Sequence, residues 1–253
     1  MPRRATLAQF FIDLVRDPIA AVGKTAPRVL AKQHPEAATA MQVARALAEQ
    51  GRGTAFSYAV ADIGNPVAAI ENLRSERYGV PLIIGMPGSG KTNFAIYLAR
   101  AIGNKANYAV GMPAQQIPKD FIRLQNMSDI FSVPKRSTVI LDDVGQIASI
   151  YMQNNRNRQQ VLDLVALCRH LGLVLIVIAQ NSSMIQRRWL DTVEIAFIKR
   201  PGISEELERP ALRKPYARAM QMFRGRDKAF VQSHVYVWSL YGEGLIAYKL
   251  NEV

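Results

Sequence analysis

Gly85-Met86-Pro87-Gly88-Ser89-Gly90-Lys91-Thr92 is the stretch from which the rest of the chain is read. It fits the pattern G-x-x-x-x-G-K-[ST] at every constrained position. Its flanks fit as well. Val80, Leu82, Ile83 and Ile84 make a short apolar run suited to a buried strand. The residues from Asn93 to Ala101 predict a helix that packs with Phe94, Ile96, Tyr97 and Leu98. Between them, Gly85, Pro87, Gly88, Ser89 and Gly90 let the backbone curl so that its N–H groups converge on an anion, helped by the positive end of the following helix. Lys91 would reach the outer phosphates, and the Thr92 hydroxyl would be a magnesium ligand. The expectation is a site for a nucleoside triphosphate, ATP with Mg2+.

A second signature lies downstream. Thr138-Val139-Ile140-Leu141-Asp142-Asp143 is an apolar strand ending in acids. A carboxylate at such a strand tip lies beside the phosphate loop and can hold hydrated magnesium, the task expected of Asp142. Asp143 would orient and polarise the attacking water. The longest apolar run, Leu171 to Ala179, ends at Gln180-Asn181 and predicts a buried parallel strand. Gln180 at its tip either touches the γ-phosphate or simply opens a loop.

From Tyr78 onward, strands and helices alternate, which implies a mostly parallel sheet flanked by helices. Strands are expected at Tyr108 to Gly111, Thr138 to Leu141, Leu173 to Ala179 and Val193 to Ile198, with helices over Pro118 to Gln125 and Gln159 to His170. Val231 to Ser239 and Leu245 to Leu250 predict a β-hairpin across Tyr241-Gly242-Glu243-Gly244. Residues 1–77 read as an α-helical extension before an ATPase domain of residues 78–253. Apolar stripes run through Leu7 to Val15 and through Met41, Ala44, Leu47 and Ala48, and Asn65-Pro66 opens a helix toward Leu73. These stripes either pack on the main domain or face a partner or membrane.

Composition bounds the rest. With 253 residues, 49% of them apolar, the chain can bury a full core. Lys and Arg number 32 against 20 acids, a net charge of +12 that favours a polyanionic partner. No run reaches membrane-spanning length and no signal peptide is recognisable, so a soluble, intracellular protein is expected. Cys168 has no disulfide partner, and His170 and His234 lack metal-ligand spacing. Two basic stretches are candidate nucleic-acid contacts. Met152 to Gln160 carries Arg156 and Arg158 among amides with no acid. Arg209 to Lys228 carries Arg213, Lys214 and Arg218, with Tyr216 and Phe223 interleaved. Such side chains bind phosphates without reading bases; either stretch is otherwise a solvated helix.

Cys168-Arg169-His170-Leu171-Gly172, the apolar strand closed by Gln180, and Val193 to Arg200 together resemble the HerA–FtsK superfamily of translocating P-loop ATPases, with a RecA/FtsK-like fold. The likeness is nearest to the compact genome-packaging ATPases of tailless icosahedral viruses with internal membranes, whose domain also closes with a C-terminal hairpin. The resemblance covers residues 78–253. It implies a homo-oligomeric ring, usually a hexamer, with ATP between subunits and double-stranded DNA in the pore, in host cytoplasm or at the virion's packaging vertex. It further implies a portal or membrane-vertex partner and an arginine supplied in trans. Arg169 matches the family's Arg-x-x-Gly position, and Arg156, Arg158, Arg187 and Arg188 are alternatives. Asp143 departs from the family's usual Glu. The competing readings are a Zot-like or secretion-type morphogenesis ATPase, an AAA+-like replication or helicase-loader ATPase, and a nucleotide-binding adaptor.

Overall fold

The computed structural model describes residues 57–142, 168–185, 190, 193–202 and 208–248. The chain divides into two compact units, Met1–Ala59 and Val60–Val253. Apart from residues 57–59, the described part belongs to the second unit. The stripes expected at residues 7–15 and 41–48 lie outside the described residues, as does most of the helix expected at 159–170.

Nine strands among the described residues form one sheet: β1 (Ser57–Gly64), β2 (Leu82–Ile84), β3 (Ala106–Val110), β4 (Phe121–Arg123), β5 (Ser137–Leu141), β6 (Val174–Ala179), β7 (Ile195–Ile198), β8 (His234–Ser239) and β9 (Gly242–Ala247). Their order is β1-β9-β8-β7-β2-β6-β5-β3-β4. The six strands from β7 to β4 run parallel, β8 pairs antiparallel with β7, and β9 pairs antiparallel with β8. Strands buried on both faces must be apolar throughout, and β2, β5, β6 and β7 are buried at every residue. Among the described residues four α-helices flank them: α1 (Ala68–Glu76), α2 (Lys91–Ile102), α3 (Pro210–Phe223) and α4 (Lys228–Ser233). Phe94 of α2 is fully buried, 5.0 Å from the ring of Phe197 and 4.9 Å from that of Tyr248. That cluster locks α2, and the loop that feeds it, against β7 and the end of the hairpin.

Local chemistry explains several boundaries. Asn65 Oδ1 accepts from the N–H groups of Val67 and Ala68 at 3.1 and 3.2 Å, so the expected Asn-Pro start does open α1. The C-terminal hairpin is present, but its parts are shifted. Residues 228–233, where a strand was expected to begin, form α4, because Asp227 caps the turn by accepting from the Phe230 N–H at 2.8 Å. The tight turn is Leu240-Tyr241, and Gly242 already pairs with Ser239.

Two expectations fail. Residues 118–125 hold no helix. Phe121 to Arg123 instead pair parallel with β3, Asn107 opposite Phe121. The open edge beside β3 offers Phe121 to Arg123 a ladder of hydrogen bonds, and that pairing outweighs a short local helix. Strand β1 was not expected either. Its Tyr58, Val60 and Ile63 suit a strand while its alanines and Asp62 do not, and the place beside β9 decides it.

Candidate functional site

In an open parallel sheet, ligands bind where the strands end. Here the candidate residues gather at that edge. Gly85 follows β2, Asp142 follows β5, Gln180 follows β6 and Lys199 follows β7. The neighbouring tips are stitched together by backbone bonds: Gly85 N–H to Gln180 O at 3.3 Å, Lys199 N–H to Ile84 O at 2.8 Å, and Met86 N–H to Arg200 O at 3.0 Å.

The loop from Gly85 to Gly90 turns through positive φ at three glycines, with Gly85 at +150° and Gly90 at +86°. A Cβ on Gly85 would lie 2.9 Å from Lys199 Cβ and 3.1 Å from that residue's carbonyl carbon and oxygen, so no larger residue fits. Gly88 and Pro87 are exposed at the crest. Ser89 is buried, and its Oγ has no hydrogen-bond partner. Lys91 Nζ donates to the carbonyls of Gly85 at 2.8 Å and Met86 at 3.1 Å, folding across the loop it closes.

Thr92 Oγ1 donates to Asp142 Oδ2 at 2.9 Å, across 50 residues of sequence. One bond joins the two expected magnesium ligands. β6 lies between β2 and β5, so Gln180, exposed at its tip, sits between the phosphate loop and Asp142. This is a P-loop nucleotide-binding fold. An orphaned buried hydroxyl in the loop, a left-handed glycine cradle and a Thr–Asp pair at its mouth all fit a triphosphate with magnesium.

No protein-family model and no curated protein sequence matches the chain. Among solved structures it is similar to B204, the DNA-packaging ATPase of Sulfolobus turreted icosahedral virus. Identity there is 13% and the TM-score 0.43, over 69% of this chain and 98% of that one. It is also similar to the conjugation coupling protein TcpA, at 10% identity and TM-score 0.48 over 70% of this chain and 62% of that one. A third is the cytoplasmic domain of the Thermomonospora curvata type VII secretion ATPase EccC, at 12% identity and TM-score 0.47 over 70% and 24%. These likenesses are of fold.

The remaining candidates fall in three places. Asp143, Arg156, Arg158, Arg187 and Arg188 lie outside the described residues. Arg169 is exposed in the last turn before β6, its guanidinium 5.7 Å from the centre of the Tyr78 ring. That is the edge where strands begin, about 20 Å from the loop along a six-residue strand. Arg213 and Lys214 are exposed on α3, and Arg213 Nε donates to Glu208 O at 3.1 Å. The aromatic residues of that helix are not available to stack on bases, contrary to the interleaved reading. Tyr216 and Phe223 are buried, and the Tyr216 hydroxyl accepts from Gly202 N–H at 2.7 Å. An amphipathic helix must turn its aromatic residues to the sheet when its basic ones face water.

Cys168 is buried, which pushes its thiol up to about 12 and makes it a small hydrophobe. No group of three or more potential metal-ligating side chains occurs among the described residues. No described helix is long and apolar enough to cross a membrane.

Sequence reasoning missed two residues at this edge. Glu208 is buried and accepts from Ser182 N–H at 2.8 Å, anchoring the loop that follows Gln180. Lys199 is fully buried behind the phosphate loop. Neither sits in a recognisable local pattern, since each contacts residues more than 25 positions away.

Proposed function

We propose that the chain is an ATP-driven motor that moves double-stranded DNA, acting as a ring in packaging a viral genome. The observation that supports this reading is the Thr92–Asp142 hydrogen bond, which brings together the two side chains that would hold one magnesium ion. When bound, that ion neutralises charge on the β- and γ-phosphate oxygens.

The chain's own groups supply the rest. Amides from Gly88 to Lys91 and the start of α2 receive the phosphates. Lys91 leaves the Gly85 and Met86 carbonyls for the outer phosphates. Asp143 orients the attacking water, Gln180 reports the state of the γ-phosphate, and a neighbouring subunit contributes an arginine, with Arg169 the family's matching position. For the polymer, the net charge of +12 exceeds what one nucleotide needs. Arg156, Arg158, Arg213 and Lys214 are its proposed backbone contacts.

The test is the rate of ATP hydrolysis with and without long duplex DNA. The motor reading expects stimulation by DNA of any sequence, loss of turnover in Lys91→Ala, and DNA binding that weakens steeply with salt. A rate indifferent to DNA, together with tight binding to a protein partner, would instead favour the adaptor.

A further inference from the structure

The phosphate loop has a back, and a single side chain occupies it. Lys199 follows β7, is fully buried, and passes beneath both ends of the loop. Beyond its contact with Gly85, it reaches Gly90. A Cβ there would lie 3.7 Å from Lys199 Cε, 3.8 Å from Nζ and 3.8 Å from Gln232 Cα. The amine lies within hydrogen-bond distance of four oxygens, the carbonyls of Val231 at 2.6 Å, Gln232 at 3.0 Å and His234 at 2.7 Å and the Tyr248 hydroxyl at 2.8 Å, and its three N–H groups serve three of them at a time. Tyr248 in turn donates to Gln232 O, and its ring centre is 4.8 Å from the amine.

These carbonyls belong to the last turn of α4 and the first residue of β8, groups that a helix end leaves unpaired. A lysine amine suits them. Among the described residues no carboxylate is a hydrogen-bond partner of this amine. Burial pulls the amine down to about 6. The cage works against that, because three carbonyls call for three N–H donors, and only the protonated amine has three. A buried, ion-unpaired lysine is a costly way to fill space, and strongly perturbed groups of this kind gather at functional sites.

We propose that Lys199 is a positioning residue for the phosphate site. It fixes Gly85 and Gly90 against α4 and makes triphosphate affinity depend on the segment 228–248. The inference rests on the nucleotide reading given above.

The experiment compares the full chain with Lys199→Met, which keeps length and loses the donors, using a fluorescent ATP analogue with magnesium. The Met variant is expected to stay folded by circular dichroism and to bind roughly tenfold or more weakly, since small misplacements of a phosphate cradle are costly. Tyr248→Phe, which keeps the ring and removes one partner, is expected to weaken binding about two- to threefold. Hydrogen exchange separates positioning from bulk stability: the analogue should protect amides of residues 228–234 in the parent and not in Lys199→Met. Equal affinity in parent and Met variant, or weakening only in proportion to its unfolded fraction, overturns the proposal. Should the Met variant not fold, unchanged affinity and exchange in Tyr248→Phe overturn it instead. A parent chain that binds no analogue, alongside an identical Lys91→Ala, removes the nucleotide reading itself and with it this inference.

Discussion

The front and back of the phosphate loop are each closed by a lysine on backbone carbonyls, and they differ in where those carbonyls come from. In front, Lys91 is half-buried and donates to Gly85 and Met86, its neighbours five and six residues away. Behind, Lys199 is fully buried and donates to carbonyls 32 to 35 residues later in the chain. The front is a local device whose parts travel together in one short stretch of sequence. The back is a tertiary device assembled where α4 and β8 meet β7. The first is partly open to solvent; the second is enclosed by the protein.

That contrast can be broken at its sharpest point in front. Asp142→Asn keeps a hydrogen-bond acceptor for Thr92 and removes the charge. Hydrolysis measured by phosphate release should fall about 10²–10³-fold, with little change in melting temperature. A comparable loss of stability would mean that the Thr–Asp pair is structural.

Glycine substitutions sharpen the comparison further. Gly85→Ala places a methyl against Lys199 Cβ and that residue's own carbonyl at 2.9–3.1 Å, while Gly88→Ala at φ +75° meets nothing within 4 Å. Overpacking plus backbone strain should cost the first about 2–4 kcal/mol, against about 1 kcal/mol for the second. Chemical denaturation would read the difference, and equal costs would remove the claim that the back is tightly packed.

The smallest effect is a pH dependence. Lys199 has its amine lowered by burial to about 6, against the usual lysine value of about 10.4 in the unfolded chain. Between those values the unfolded state binds the proton more readily. Its share of stability therefore rises with pH from about 6 toward 10 and is flat below 6. Subtracting the profile of Lys199→Met isolates that slope. A flat difference over the window would show that the carbonyl cage keeps the amine protonated.

The arrangement of these two faces also explains what was legible beforehand. Gly85 to Thr92 could be read because each requirement is local: positive φ, converging amides, and a helix start within eight residues. The apolar strands ending at Asp142 and Gln180 were legible because a strand buried on both faces must be continuously hydrophobic, and polarity returns only at its tip. Residues 118–125 were misread because a proline followed by mixed apolar residues suits a helix start and an edge strand equally well, and only pairing with β3 chose between them. α4 had a signal, Asp227 as a cap, that the apolar run after it concealed.

What the amino-acid order determined alone was the chemistry carried by neighbours in the chain: the glycine loop, its lysine and threonine, and the run of parallel strands. The tertiary structure decided which tips adjoin, that Thr92 meets Asp142, that Arg169 lies at the opposite edge, and that a lysine with no local pattern props the loop from behind. The physical reason is range. Backbone conformation and helix starts are set within a few residues, whereas a hydrogen bond between partners 50 positions apart exists only after the sheet has brought them together.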